Sequence, residues 1–327
     1  MKQKLIIDTD PGIDDAMAIH YAFAHDGLDV LGLTTIFGNV FVRQATRNAL
    51  ILSEQAQYRL AVVEGADQPL AQPLNPPSHH VHGPEGFGDQ PALIPQGKPL
   101  DKTSDSFLSE ICRAHSGEVI LCPVGPLTNI ASVLRYDPDI VKHVKKLVIM
   151  GGAVWAPGNV SAFAEANIWN DPHAADAVFA ADWDIDLIGL DVTQTISCDD
   201  DDFRTVRGAA PEIGGFLHDI SEFYIKFYHS VIGREVCLMH DPSAVVAITD
   251  EELFTYRNTP LSVVCAGDEI GRTVPDSSLD RRPVRVAVAA DAEKITSRFL
   301  DICGQADKMK QLRQLAARHA GEEKPPV

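Results

Sequence analysis

The apolar run Leu5-Ile6-Ile7 ends in Asp8-Thr9-Asp10-Pro11-Gly12-Ile13-Asp14-Asp15-Ala16, which places four carboxylates within eight residues. An apolar run that ends in acids predicts a buried strand delivering its last residues to the end of a sheet. Pro11-Gly12 forces a turn. The apolar-periodic segment Ala16 to Ala24 then predicts a helix with Asp14 and Asp15 at its start. Acids at a helix start cap free N–H groups and meet the positive end of the dipole. That accounts for Asp14 or Asp15, but not for Asp8 and Asp10 ahead of the turn. Carboxylates this close repel one another unless a positive group sits among them, and oxygen ligands suit a hard divalent cation, Ca²⁺ or Mg²⁺.

The 327 residues are 45% hydrophobic, enough for a large core, and carry a formal net charge of −18. That charge argues against DNA or RNA as partner, because binding there relies on basic residues that neutralise phosphate. A neutral small substrate is compatible with it. The six cysteines form no CxxC pair, and a reduced, cytoplasmic protein is the simplest expectation. The N-terminus enters a short strand without the apolar stretch of a signal peptide. No run reaches the roughly 18 apolar residues of a spanning helix, so no membrane partner is expected.

Short apolar runs alternate with helical patterns. Strands are predicted at 28–37, 60–63, 118–122, 146–150 and 185–190, and helices at 43–57, 104–115, 127–134 and 171–181. This rhythm predicts an α/β fold with a doubly wound, mostly parallel sheet and helices on both faces. In such folds ligands bind beyond the carboxyl ends of the strands. The second half is less regular, with helices expected at 212–230, 240–249 and 293–302 and strands at 261–266 and 284–290. The acid run Asp199 to Asp202 reads as a solvated helix start. A single domain over 1–315 is expected, followed by a frayed tail over 316–327. The loop Gln68 to Leu100 is long enough to be functional or disordered. It holds His79-His80-Val81-His82, whose spacing lacks the usual context of a transition-metal site.

Further strand exits carry polar groups: Gly38-Asn39, the turn Pro123-Val124-Gly125-Pro126-Leu127-Thr128-Asn129, Met150-Gly151-Gly152, and Met239-His240-Asp241-Pro242. Each has a plain reading as a turn residue, a helix cap before proline or a core histidine. Together at sheet ends they point to one site.

In order along the chain, DTDPGIDDA, Gly38-Asn39, PVGPLTNIA at 123–131, Met150-Gly151-Gly152, Gly158-Asn159, AEANIWNDP at 164–172 and His240-Asp241-Pro242 resemble the nucleoside hydrolases of the inosine-uridine-preferring type, over roughly Leu5 to Leu300. The resemblance implies that Asp10, Asp15, Asp241 and the main-chain oxygen of Val124 hold a Ca²⁺. It implies that Asp14, Asn39, Met150, Asn159, Glu165 and Asn167 bind substrate, chiefly the ribose hydroxyls, with His82 near the base. Water would then cleave the N-glycosidic bond of a purine or pyrimidine ribonucleoside through an oxocarbenium-like transition state. Asp10 would act as general base on a metal-bound water and His240 as leaving-group acid. Nucleoside salvage and a homo-oligomer, dimer or tetramer, are further implications. Val124 stands where Thr is often found, and Ala166 where many members carry Phe. His240 disfavours the strictly purine-specific branch. Tyr224, Tyr228 and His229 could reach the base edge, although an amphipathic helix face is the plainer expectation. The segments 68–100 and 224–237 are candidate lids.

Three rival readings are weaker. Asp8-Thr9-Asp10 fits a phosphatase of the haloacid dehalogenase type superficially, but the residues that follow do not continue that motif. An EF-hand would need glycine at Ile13 and glutamate at Ile19. A non-catalytic nucleoside- or calcium-binding protein has no need of the intact polar set.

Overall fold

Leu5, Ile6 and Ile7 are fully buried, and the acids that follow them leave the carboxyl end of a central strand. The computed structural model describes residues 2–322. The first half alternates strands and helices: β1 (Gln3–Thr9), α1 (Ile13–Ala24), β2 (Leu28–Thr35), α2 (Val42–Gln55) and β3 (Ala61–Glu64). Then follow α3 (His79–His82), α4 (Ser104–Ala114), β4 (Val119–Pro123), α5 (Thr128–Tyr136), β5 (Val144–Met150), α6 (Ala166–Asn170), α7 (Pro172–Ala180) and β6 (Ile185–Ile188). The second half contributes α8 (Leu190–Thr193), β7 (Ser197–Cys198), α9 (Asp200–Ala209), α10 (Ile213–Ile232), β8 (Cys237–Leu238) and α11 (His240–Thr249). It closes with β9 (Phe254–Thr259), β10 (Leu261–Val263), β11 (Thr273–Pro275), β12 (Val284–Ala290), α12 (Ala292–Cys303) and α13 (Ala306–Glu322).

Eight strands form one sheet in the order β3-β2-β1-β4-β5-β6-β12-β9. All neighbours are parallel except β9, which runs antiparallel to β12. The order reverses at β1, between β2 and β4, and ligand crevices form at such a reversal. Both faces of the sheet are covered. Ile6 and Leu121 pack with Phe107, Ile130 and Phe179 on one side, while Leu5 and Ile7 pack with α1 on the other. Strands buried on both faces read as continuous apolar runs rather than as alternation.

Two helices are unlike the rest. All twelve residues of α1 are buried, as are nine of the ten of α11. A helix apolar all round belongs inside a fold, and these two pack against each other. Their N-termini hold Asp14 and Asp15 in one case and His240 and Asp241 in the other.

The expected strands and helices of the first half occur within a few residues of their predicted bounds. The acid run opens α9, where Asp199 accepts from Asp202 N and caps the helix. The short strands β7, β8 and β11 and the short helices α3, α6 and α8 are not in the sequence reading, the strand expected over 261–266 ends at Val263, and two further elements differ. Strand β9 was not anticipated, because at the sheet edge Thr255, Arg257 and Asn258 stay exposed and dilute the apolar pattern. The tail expected to fray from 316 is helical through Glu322 as the end of α13, and 323–327 lie outside the described residues. The long loop holds only the single turn of α3, yet it is tied down. Leu70 N donates to Asp171 Oδ2 (2.8 Å), and Asn48 Nδ2 donates to both Pro11 O and Glu85 O (2.9 Å each). No helix among the described residues is long and apolar enough to cross a membrane.

On the far side from these strand exits, Arg113 grips Asp137 through Nε (2.7 Å) and Nη2 (2.5 Å), and Ser109 Oγ adds a third donor at 2.6 Å. These donors hold the Asp137 carboxyl at a pKa of about 2, below its ordinary range. A carboxylate with a depressed folded pKa contributes stability that is present above the unfolded value and is lost as pH falls through the folded one. Arg113→Ala is therefore expected to lower Tm at pH 7, and the gap to the parent should shrink between about pH 4 and pH 2. A gap that stays constant with pH would contradict this role.

Candidate active site

Strand exits and two helix N-termini meet at the reversal of the sheet. Asp10 follows β1, Asn39 lies beyond β2, Val124 follows β4, and Met150 ends β5. Asn39, Val124 and Met150 line a cavity of about 770 Å³, into which Asp14, His240 and Asp241 also project. Helix α10 crosses above it with Tyr224 and Tyr228, and His82 comes in from the long loop.

The carboxylates form the floor. One oxygen each from Asp14, Asp15 and Asp241 lies within 4.8 Å of the others. Asp15 is locked in place by Thr9 Oγ1 (2.6 Å), Gly12 N (2.9 Å) and Asn39 Nδ2 (3.0 Å). Asp10 sits just beneath the cavity lining. Its Oδ2 accepts from Asn39 N at 2.6 Å, while its Oδ1 is buried without a partner. Two glycines make this possible: a Cβ at Gly38 (φ +154°) would overlap Asp10 Oδ2, and one at Gly125 would stand 2.6 Å from Oδ1. Asp14 Oδ1 is likewise buried and unpartnered.

Burial is the largest cause that raises the pKa of all four acids, and for Asp10, Asp14 and Asp241 the charges of neighbouring acids add to it. Asp14 rises to about 8. The nearest positive candidate, His82 Nδ1, is 3.8 Å from Asp14 Oδ1, but its ring is held neutral. Burial lowers the His82 pKa to about 3. The helix termini contribute only partial charges. An all-oxygen donor set with orphaned lone pairs and uncompensated negative charge fits a hard divalent cation. Asp8, one turn of the strand deeper, is set apart from this floor. It accepts from Thr34 and from Asn129 Nδ2 (2.7 Å) and braces the strand ends.

The walls are polar and rigid. Asn167 Nδ2 donates to Val124 O (2.9 Å) and Met150 O (3.2 Å). Glu165 caps α6, accepting from Asn167 N and Gly152 N at 2.9 Å and from Ile168 N at 3.1 Å. Asn159 stands at the exposed rim, with its Oδ1 held by Ala166 N at 3.0 Å. All of the residues that the sequence implicates in substrate binding thus border one cavity.

Of the two readings the sequence allows for Tyr224 and Tyr228, a residue at the base edge or the plainer helix face, the structure supports the first, since both line the cavity. Tyr224 and Tyr228 are buried and form a continuous hydrogen-bonded chain. Tyr224 OH donates to Asp14 Oδ2 (3.2 Å), the two hydroxyls meet at 3.2 Å, and Tyr228 OH reaches His240 Nε2 at 2.8 Å. His240 Nδ1 meets Thr193 Oγ1, also at 2.8 Å. Their i, i+4 spacing, which puts both on one helix face, was the available signal; the aim of the hydroxyls was not in the sequence. His229 is exposed and outside the cavity. His79 and His80 are exposed and do not gather with His82 into a metal site; the only such group among the described residues is the aspartate trio.

The two cavity histidines are neutral for the same reason. Burial lowers His240 to about 4. His82 Nδ1 accepts from Ile13 N at 3.1 Å, so its proton is on Nε2.

Repulsion within the floor has a stability consequence. With chelator present, Asp241→Asn is expected to raise Tm by several degrees, since a shift of about 2–4 °C accompanies each kcal/mol in a chain of this order of size. A lowered Tm would mean that the floor is not under electrostatic stress.

The chain matches the family described as inosine-uridine preferring nucleoside hydrolase over residues 5–297. It is 39% identical over 304 residues to uridine nucleosidase 1 of Arabidopsis thaliana, covering 90% of each chain. Its fold superposes on a plant nucleoside hydrolase with a TM-score of 0.89, at 34% identity, covering 93% of this chain and 99% of the other. It superposes on the purine-preferring ribonucleoside hydrolase of Gardnerella vaginalis with a TM-score of 0.90, at 32% identity, covering 94% and 100%.

Proposed function

This chain belongs to the inosine-uridine preferring nucleoside hydrolase family, enzymes that cleave N-glycosyl bonds of ribonucleosides, and we propose that it does so with Ca²⁺ in the aspartate floor, Asp10 as general base and a Tyr228–His240 pair as leaving-group acid. The observation that carries the reading is the floor itself. Buried carboxylates around an orphaned Asp10 oxygen border a cavity whose far wall is a chain of hydroxyl and imidazole donors.

Asp10, Asp15, Asp241 and the carbonyl of Val124 would hold the cation, with Asp14 close enough to share it. A bound Ca²⁺ supplies positive charge that orients the ribose diol and acidifies water next to it. Asp10 Oδ1, with no protein partner to satisfy it, accepts the proton of the attacking water as its oxygen bonds to the anomeric carbon. The bond to the base breaks with its electron pair going to the base. Asn167, Glu165 and Asn159 orient the sugar, because a polyhydroxylated ligand is held best by fixed polar groups. The carboxylates stabilise the positive charge that grows on the ring.

The departing base needs a proton. His240 at a pKa of about 4 is neutral near pH 7, so it does not act alone as an imidazolium. Tyr228, hydrogen-bonded to it and backed by Tyr224 and Asp14, passes a proton along the chain to the base. The proton taken up by Asp10 replaces the one given to the base, and the net reaction is the addition of water. His82 offers a fixed Nε2–H donor to an acceptor on the base. A sequence relative named for uridine and a structural neighbour named for purine preference are both similar to this chain, and both base classes fall within the proposed range. Nucleoside salvage, a reduced intracellular setting and a dimeric or tetrameric assembly complete the proposal.

Release of free ribose from a panel of purine and pyrimidine ribonucleosides, with Ca²⁺ and after chelation, tests the activity. Chelator-sensitive release is expected; no release from any nucleoside by folded, calcium-loaded protein would overturn the proposal. Asp10→Ala is expected to remove nearly all turnover of every substrate. His240→Ala and Tyr228→Phe should slow inosine by about 10²–10⁴-fold, the usual worth of general acid catalysis. They should barely affect an aryl riboside whose leaving group needs no proton. Equal losses on both substrates would exclude the pair as proton donor.

A further inference from the structure

A second cavity, of about 460 Å³, opens where the N-terminus of β1, the C-terminal ends of α1 and α2, and helix α13 meet. It shares no lining residue with the catalytic cavity. Lys2, His25, Arg59 and Arg313 line it, and no Asp or Glu does. In a chain with 46 acidic and 28 basic residues, an acid-free cavity with three permanent cations is a local inversion of charge.

Those cations are also uncompensated. Lys2, Arg59 and Arg313 take part in no ion pair among the described residues, although many other basic side chains do. Arg313 is the clearest case. Its guanidinium is partly buried, lies over the Tyr58 ring at 4.6 Å, and donates only to backbone carbonyls, those of Ala56 (2.8 Å) and Phe23. Burial disfavours its charge, and no carboxylate relieves it. The nearest acids in sequence, Asp26 and Asp29, flank the lining residues His25 and Leu28 without pairing to any of these cations. The Arg313–Tyr58 stack forms a rigid inner wall, since Tyr58 is itself stacked on Phe23 at 4.4 Å and its OH accepts from Val30 N at 2.9 Å. Met309, Leu312 and Ala316, on the same helix α13 as Arg313, add apolar lining beside it.

We propose that this cavity is a binding site for a phosphomonoester, with Lys2, Arg59 and Arg313 meeting the phosphate and the apolar side of α13 covering the organic part. Two guanidinium groups and an ammonium suit a dianion with three equivalent oxygens better than a single carboxylate, because the arginine fork matches phosphate geometry. The apolar wall adds area that inorganic phosphate cannot use. A sugar phosphate and a nucleoside monophosphate share this chemistry and differ in the size of the part that meets α13.

Calorimetric titration of the full chain at low ionic strength, with inorganic phosphate, ribose 5-phosphate and uridine 5′-monophosphate, tests the site. Saturable binding of at least one ester, tighter than that of inorganic phosphate and unaffected by excess ribose, is the expected result. The tighter of the two esters identifies which organic part the wall accepts. The rim variant Lys2→Glu/Arg59→Glu should weaken ester binding by about tenfold or more, roughly 1.4 kcal/mol, while nucleoside turnover and Tm stay at parent values. The proposal fails if neither ester binds, if inorganic phosphate alone binds, or if the rim variant binds the esters as well as the parent does.

Discussion

Four carboxylates, Asp10, Asp14, Asp15 and Asp241, are buried together where the order of the parallel strands reverses at β1, and no protein cation is among them in the described residues. Desolvated like charges are among the costliest things a fold can hold. The surrounding architecture is arranged to hold them all the same. Two buried helices run through the interior so that their N-termini face the cluster, Gly38 and Gly125 clear space around Asp10, and Asn39 and Thr9 fix Asp15. What these elements do not supply is positive charge. The divalent cation proposed for this site would remove the repulsion, and the cluster would then serve to grip a diol and activate water.

The chemistry proposed here divides the cavity into two ends. The aspartate floor handles the water and the sugar, where negative charge helps as the ring becomes cationic. The opposite end handles the base, where a proton must be delivered. Tyr224 joins the ends, since its hydroxyl touches Asp14 on one side and Tyr228 on the other. Burial keeps both His82 and His240 neutral. The proton donor we propose is accordingly a hydrogen-bonded chain rather than a lone imidazolium, a reading that rests on the packing of α10 over the site.

Much of this was legible in the sequence, for a physical reason. Strands buried on both faces must read as apolar runs, so an aspartate, asparagine or glycine–proline turn that interrupts them marks a strand exit. Asp10, Asn39, Val124 and Met150 stand at such exits, and the helix expected over 240–249, opened by Asp241-Pro242, is α11. Legibility failed where position does not determine aim. Tyr224 and Tyr228 occupy an ordinary helix face by their spacing, and only the tertiary structure turns their hydroxyls into the cavity. It failed again at β9, an edge strand with one exposed side, and along α13, where Leu312 and Leu315 are half exposed and the apolar stripe is thin. The basic cavity beside α13 could not be read at all, because Lys2, Arg59 and Arg313 are distant in sequence.

Thermal unfolding of chelator-treated protein against a calcium titration tests whether the aspartate floor is built around a cation. Tm is expected to rise with Ca²⁺ in a saturable way, because a ligand that binds only the folded state stabilises it by mass action. Asp241→Asn is expected to lose most of that rise. A Tm indifferent to Ca²⁺, with no calcium bound at equilibrium, would contradict a cation site there.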